Sequence, residues 1–243
     1  NGLWLGARGN FTYATNKFVE NIEPAYKDKY LSKIGNNLNQ MYGYIAERLF
    51  ADDEEAANSP RQNLGNDFYG GGDIKYTDVN GDGVVDSNDI VPIGYPTVPE
   101  IIYGFGFSCG YKGFDFSAFF QGQARSSFFI AANETWPFHN DAQLLKEYAD
   151  SHWSEDNQDM YALFPRLSTT AHSNNTVGST WWQRNGAFLR LKQVELGYSL
   201  PEKWGWMKKS RISSLRFYLS GTNLLTFSKF KMWDVEMGGQ GLG

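Results

Sequence analysis

The chain has a single cysteine, Cys109, which excludes a disulfide framework and a cysteine-rich metal centre. Its three histidines, His139, His152 and His172, stand 13 and 20 residues apart, without an HExxH or any other paired spacing. GxSxG, Walker and dinucleotide fingerprints are also missing. The histidines read as isolated loop residues, and the chain does not read as an enzyme; only a glycosidase-type carboxylate pair, which leaves no local signature, escapes this filter. Positive charge is scarce, with 22 Lys and Arg against 27 Asp and Glu and a net charge of -5, so nucleic-acid binding lacks its electrostatic footprint. No apolar run approaches the roughly 20 residues of a spanning helix. The chain starts at Asn1 with neither Met nor a signal peptide, which predicts a processed product or part of a longer chain.

Aromatic residues make up 16% of the 243 residues, and there are 26 glycines at a mean hydropathy of -0.48. That length holds one or two ordinary domains. High aromatic and glycine content at low hydropathy is also how the strands of a membrane barrel read, because only alternate residues need be apolar. Any encounter with a membrane is therefore expected through β-structure.

Period-two alternation predicts a strand over Leu3–Tyr13, and Met41–Ile45 reads as another. Ile101–Cys109 and Phe114–Gly122, joined by the polar turn Tyr111-Lys112-Gly113, are written as a hairpin. Ile101, Tyr103, Phe105, Phe107 and Cys109 share one face of it, while Gly104, Gly106, Ser108 and Gly110 share the other. Such a strand suits a barrel wall around a filled or wet lumen, although a soluble sandwich alternates similarly. Ala187–Leu200 is a strand whose apolar phase slips between Leu191 and Val194, which predicts a bulge. Leu215–Phe227 alternates Leu215, Phe217, Leu219 and Gly221 with Arg216, Tyr218, Ser220 and Thr222.

Helices are expected only as short pieces. Ala51–Pro60 carries an acidic first turn and a proline stop, and its consecutive acids read as a solvated face. Asn140–Trp153 has Leu144, Leu145, Tyr148, Ala149 and Trp153 near helical spacing. The long region 125–179 is expected outside the sheet. Its aromatic residues Trp136, Phe138, Trp153, Tyr161, Phe164, Trp181 and Trp182 either stack on sugar rings or staple the loop together. Trp136, Trp181 and Trp182 are the candidates for substrate contact.

The chain is organised around the stretch from Gly72 to Gln123, whose first half has the ligand spacing of a calcium loop. Ca²⁺ takes six to eight hard oxygens, and an oxygen-bearing side chain at every second position of a tight loop turns them onto one point. Asp78, Asn80 and Asp82 take the first, third and fifth places, Gly83 makes the turn, the Val84 carbonyl follows, Asp86 acts through water and Asp89 closes the loop. The closing residue is Asp where the signature has Glu, so bidentate closure and affinity are both expected to be weaker. An acidic turn without metal is the alternative, since Asn, Asp and Gly also make ordinary turns. The strand-like Asp73-Ile74-Lys75-Tyr76 before the loop, and Pro92, Pro96 and Pro99 after it, exclude the helices of an EF-hand. The loop therefore reads as a staple between strands.

Four blocks carry a family resemblance: GDIKYTDVNGDGVVDSNDIVPIG from Gly72, YKGFDFSAFFQG from Tyr111, FLRLKQVELGYSLPEKW from Phe188 and LRFYLSGTNLLTFSKFKMWDVE from Leu215. Together with AERLFADDEEAANSP from Ala46, they resemble, in the same order, the C-terminal barrel of SusC/RagA-type TonB-dependent outer-membrane transporters. The likeness runs from Met41 onward. It implies an all-β fold, an antiparallel transmembrane β-barrel segment with long extracellular loops and short helices, within a plugged barrel of roughly 22 strands in the outer membrane of a Bacteroidota-type bacterium. It further implies import of oligosaccharides or peptides, energised through TonB and an N-terminal plug, beneath a SusD-like surface lipoprotein. The calcium-type loop of the family maps onto Asp78, Asn80, Asp82, Asp86 and Asp89. Residues 1–243 would be the C-terminal portion of such a barrel without plug or closing strand, a state with unpaired edges that a membrane does not tolerate alone. The competing expectation is a soluble calcium-stabilised β-domain that binds glycans, in which the face of Ile101, Tyr103, Phe105 and Phe107 would meet a protein core instead of lipid.

Overall fold

The computed structural model describes residues 2–65, 68–130, 135–138, 143–169, 172–201 and 213–238. In chain order the strands are β1 (Trp4–Tyr13), β2 (Met41–Gly43), β3 (Ala46–Leu49), β4 (Arg61–Gln62), β5 (Ile74–Tyr76), β6 (Val84–Val85), β7 (Val91–Ile93), β8 (Ile101–Tyr111), β9 (Phe114–Ala124), β10 (Ser127–Phe129), β11 (Gln183–Asn185), β12 (Phe188–Ser199) and β13 (Arg216–Ser228). Short helices α1 (Asp53–Asn58), α2 (Lys146–Asp150) and α3 (Ser173–Thr176) lie between them. Among the described residues, no helix is long and apolar enough to cross a membrane. The chain divides into two units, one of Asn1–Ala14, Pro99–Arg125 and Ala187–Lys229, the other of Thr15–Val98, Ser126–Gly186 and Phe230–Gly243.

The first unit is a five-stranded antiparallel sheet in the order β1-β8-β9-β12-β13. Because successive side chains point to opposite faces, its register sorts the residues into rows. Leu5, Cys109, Phe116, Leu196 and Leu219 stand side by side across the five strands, and the next row on that face is Ala7, Phe107, Ala118, Val194 and Gly221. The row beyond is Gly9, Phe105, Phe120, Leu191 and Leu225. Phe105 stacks on Phe120 at 5.1 Å, and Phe114 meets Tyr198 at 4.4 Å nearer the hairpin turn. These are the close cross-strand pairs that fix a register. Much of this apolar face is open: Leu5 is 74%, Phe107 48% and Leu219 76% exposed.

The opposite face carries polar rows. Arg216 forms ion pairs with Asp115 at 2.5 Å and Glu195 at 2.6 Å, and the Arg8 guanidinium lies 4.7 Å from the centre of the Phe119 ring. The β8–β9 turn has Lys112 at φ 50° and Gly113 at φ 90°, the left-handed pair that matches the twist of a two-residue hairpin. The expected bulge is present: the register of β12 against β9 shifts between Leu191 and Gln193, leaving Lys192 as the extra residue. On the β13 side the same shift leaves Asn223 and Leu224 out of the ladder, with Asn223 at φ 54°.

Among the described residues, the second unit has strands of two to four residues and packs into hydrophobic clusters, two of which are the following. Met41, Val91 and Ile93 are buried with Tyr30, Val79 and Phe129 packed against them. Trp136, Tyr148, Phe164 and Trp182 form the other, with Phe164 4.4 Å from Tyr148, 5.1 Å from Trp136 and 5.4 Å from Trp182. All four are buried.

Two expected elements differ. The strand over Met41–Ile45 breaks at Tyr44, because the chain changes partner there: β2 pairs with β7, β3 with β5, and Tyr44 itself bridges to Ser179. The helix expected over Asn140–Trp153 spans Lys146–Asp150, its first residues lying outside the described set. It ends there because the Ser151 carbonyl accepts from the Phe164 N–H and the Trp153 N–H donates to the Phe164 carbonyl. That bridge holds the chain extended where the helix would continue.

Candidate functional site

The 78–89 loop hangs from β5, and β5 is held on one edge by β3 and on the other by side chains in place of a strand. Gln62 Nε2 and Asn174 Nδ2 donate to the Ile74 carbonyl at 2.9 and 2.8 Å, and Asn175 Oδ1 accepts from the Ile74 N–H at 3.0 Å. Gln62 Oε1 accepts from the Tyr76 N–H at 2.6 Å. Gln62, Asn174 and Asn175 are all buried, so these amides supply the partners that buried backbone groups require. Burial also holds the Tyr76 phenol far above its ordinary pKa, with its hydroxyl donating to the Asn174 carbonyl.

One residue earlier, Asp73 is fully buried between Arg166, whose Nε and Nη2 each lie 2.8 Å from it, the Asn175 amide at 2.8 Å and the Gly70 N–H at 2.9 Å. Gly72 sits at φ 80°, and a Cβ there would lie 2.3 Å from Cε3 of Trp153, so only glycine fits beneath that ring.

Within the loop, Asp78 gathers three backbone donors: Gly81 at 2.7 Å and Asp82 at 3.3 Å on Oδ1, and Gly83 at 2.7 Å on Oδ2. Asn80 Oδ1 accepts from the Asp82 N–H at 2.8 Å while its Nδ2 donates to Asp82 Oδ2 at 3.1 Å. Asp82 Oδ1 accepts from the Val84 N–H at 2.9 Å. Gly81 and Gly83 at φ 73° and 89° make the turn, and β6 then pairs in parallel with β4. Asp89 is fully buried; its Oδ1 accepts from Val79 at 2.7 Å and Asn80 at 3.3 Å, and its Oδ2 accepts from Asp86 at 2.8 Å. Asp86 Oδ1 returns a bond from the Asn88 N–H at 2.8 Å, capping the short turn Ser87–Asp89.

These acids therefore brace the loop through its own amides. Among the described residues, no three His, Cys, Asp or Glu side chains converge as a ready metal cage. The donor set nevertheless suits a hard cation: it is all oxygen, and Asp78 and Asp89 each spend three of about four acceptor positions on backbone N–H groups, leaving one. Tyr30 donates to the Asn88 carbonyl at 2.8 Å, and burial together with the charges of Asp28, Asp89, Asp78 and Asp82 raises its phenol pKa.

The aromatic candidates for substrate contact belong to the packing of this unit. Trp182 is fully buried with Nε1 donating to the Asn175 carbonyl at 2.8 Å, and Trp136 lies between Phe164 and Trp182. Trp181 is half-buried, its Nε1 donating to the Leu163 carbonyl at 3.3 Å. Stacking on a sugar needs an open ring face, which Trp136 and Trp182 lack. His152 points Nδ1 at the carbonyls of Tyr148 and Ala149, His172 precedes α3, and His139 lies outside the described residues. Asp73, Arg166 and the Gln62–Asn174–Asn175 cluster carried no motif that sequence reading could use.

The two-faced antiparallel sheet is of the class that walls β-barrels. No family model matches the chain. Two TonB-dependent receptors of Formosa agariphila are similar in sequence: one is 32% identical over 177 residues, covering 71% of this chain and 17% of the receptor, the other 28% identical over 213 residues, covering 83% and 19%. The solved structure of the RagAB peptide transporter superposes with a TM-score of 0.63 at 18% identity, over 98% of this chain and 25% of that one. The RagAB peptide importer in its open-open state superposes with a TM-score of 0.63 at 20% identity, over 98% and 24%. At that identity the structural likeness is one of fold. Over the length it spans, the chain belongs to the TonB-dependent receptors, with the fold of the matching part of the RagAB transporter. That length is less than a fifth of either curated relative.

Proposed function

We propose that the chain serves TonB-dependent import of oligosaccharides or peptides across a bacterial outer membrane, together with a SusD-like surface lipoprotein. In this reading the first unit is barrel wall, the second is extracellular loop structure, and TonB acts through a plug elsewhere in a longer chain. The observation that carries the proposal is the pair of faces on the five-stranded sheet: contiguous apolar rows left open to the outside and a polar face with the Arg216–Asp115–Glu195 triad. The strand Ile101–Tyr111 has 11 residues; at about 3.4 Å per step and a tilt of roughly 45° it rises about 24 Å, the height of an outer-membrane apolar band. A soluble glycan-binding domain would have to cover those rows with a core, and its best ring platforms, Trp136 and Trp182, are buried.

The loop belongs to the proposal as a structural Ca²⁺ site held by Asp78, Asn80, Asp82, the Val84 carbonyl, Asp86 and Asp89. A bound ion would add charge neutralisation to a turn that the amides already close. Fractionation of the native gene product tests the import reading. Recovery in the outer membrane with a co-purifying surface lipoprotein is the expected result, and a soluble product without such a partner overturns it.

A further inference from the structure

We infer that Asn80 is a latent self-modification site, converted to aspartate or isoaspartate when the 78–89 loop opens and shielded while Asp78 and Asp82 hold the loop closed. This holds whatever the chain imports.

Glycine follows asparagine at Asn80-Gly81 and at Asn185-Gly186. With no side chain to hinder approach, a glycine nitrogen can reach the carboxamide of the asparagine before it. In that step the Gly81 nitrogen gives its proton to water and bonds to Cγ of Asn80, and the carboxamide nitrogen leaves as ammonia. Water then opens the five-membered imide at either carbonyl. Asparagine plus water thus becomes ammonia plus aspartate or isoaspartate, with no oxidant or cofactor.

Sterically the pair is open. Gly81 is exposed at φ 73°, and nothing lies within 4 Å of the place a Cβ would occupy. Hydrogen bonds are what hold it unreactive. The Gly81 N–H that must be lost is donated to Asp78 Oδ1 at 2.7 Å. The carboxamide that must turn onto that nitrogen is tied at both ends to Asp82, Oδ1 accepting from its N–H at 2.8 Å and Nδ2 donating to its Oδ2 at 3.1 Å. Asp78 also takes the N–H groups of Asp82 and Gly83, so the bonds form and break together. Reaction therefore waits on local opening of the loop. Asn185 is held differently: it pairs with Ser127 in the β10–β11 ladder, and the Gly186 N–H donates to the Ser126 carbonyl at 2.9 Å. A Cβ on Gly186 would lie 2.6 Å from Ser126 Oγ, so that site is crowded as well.

Reclosing does not undo the change. In aspartate the Nδ2 donor is replaced by a carboxylate oxygen facing Asp82 Oδ2, where like charges repel. In isoaspartate the main chain gains a methylene between residues 80 and 81, which moves Asp82 and Gly83 off Asp78. A loop that has opened and reacted stays open.

The test is incubation of the detergent-purified full-length protein at mildly alkaline pH with chelator present, beside the free peptide TDVNGDGVVD of residues 77–86. Peptide mass spectrometry reads conversion at Asn80 and Asn185. Wild-type Asn80 should convert about tenfold or more slower than the peptide. Asp78→Ala should convert it about ten- to a hundredfold faster than wild type, the worth of a charge-assisted hydrogen bond, with Asn185 unchanged. Wild-type conversion as fast as the peptide overturns the inference, as does an Asp78→Ala rate equal to the wild type. Equal acceleration at Asn80 and Asn185 overturns it too, because general unfolding would then be the gate. Asn80→Asp supplies the second reading: amide exchange over residues 78–86 should rise about fivefold, and unchanged exchange overturns the one-way step.

Discussion

Replacing Arg166 by methionine strands the Asp73 carboxylate in the interior. In the native loop unit that carboxylate is fully buried and takes four donors, two from Arg166 at 2.8 Å each, one from Asn175 at 2.8 Å and one from Gly70 at 2.9 Å. Methionine keeps most of the volume of the arginine stem and removes both charged donors. The remaining neutral donors cannot compensate a buried charge, and breaking such a pair from one side costs about 3–5 kcal/mol. Asp73 is the residue before β5, so the loss falls on the segment from which the 78–89 loop hangs. At about 1.4 kcal/mol per factor of ten, amide exchange over residues 70–76 should accelerate by about two to three and a half orders of magnitude. Hydrogen-exchange mass spectrometry on the detergent-purified full-length protein reads this directly, with peptides of the β8–β9 hairpin as the internal control. The sharper comparison is the double variant Asp73→Asn/Arg166→Met. If the stranded charge is the cause, the double variant is more protected than Arg166→Met alone, because it replaces a buried anion with a neutral amide. Acceleration below tenfold, or a double variant less protected than the single one, would refute the account.

Glu55 accepts from both nitrogens of the Arg48 fork and from Lys75, and its pKa is depressed from 4.5 to about 2, chiefly by Arg48 and then by the Ala51 N–H and Lys75. A depressed carboxylate contributes stability above its unfolded pKa and loses it as pH falls through the folded one. Thermal melts of the wild type should thus fall between about pH 4.5 and 2 by a contribution of at most about 3 kcal/mol, and Glu55→Gln should flatten that part of the profile. Phe105→Arg places a charge in the middle of the apolar rows at a cost of about 2–4 kcal/mol; the folded, heat-modifiable band in outer-membrane fractions should diminish, and an unchanged band would argue against a lipid face. Gly72→Ala forces a Cβ into Trp153 at a left-handed backbone position, which should lower the denaturation midpoint by the equivalent of about 2–4 kcal/mol. Calcium should raise the melting temperature of the wild type relative to chelator, and Asp78→Asn should abolish that difference; equal melts in calcium and chelator would leave the 78–89 loop a metal-free turn.

What the sequence showed follows from how locally each constraint acts. The sheet was legible because lipid-like and aqueous faces alternate residue by residue, so Phe105 and Gly104 announce their sides without any knowledge of neighbours. The bulge was legible for the same reason: one extra residue, Lys192, moves the apolar phase from Leu191 to Val194. The hairpin turn needed only Lys112 and Gly113. The loop unit offers no such periodicity. Its strands are two to four residues long, too short for a pattern, and the groups that complete β5 come from Gln62 on one side and Asn174 and Asn175 about a hundred residues further on. Asp89, expected as the closing ligand of the calcium-type loop, is seen here bracing the loop through three amides, a role that spacing alone could not distinguish.

The aromatic richness of residues 125–179 has the same physical origin. A unit with so little regular structure has few backbone ladders with which to offset the conformational entropy of ordering it. Large flat side chains compensate because each removes much apolar area from water, and Trp136, Tyr148, Phe164 and Trp182 meet in one cluster for that purpose. The ring faces of Trp136 and Trp182 are spent in that cluster, whereas Tyr161 of the same region is 72% exposed. This predicts a division under mutation. Trp182→Ala should collapse exchange protection across the whole unit, because it opens a large cavity at a cost of about 3–5 kcal/mol, whereas Tyr161→Ala, at a ring that is 72% exposed, should leave protection intact.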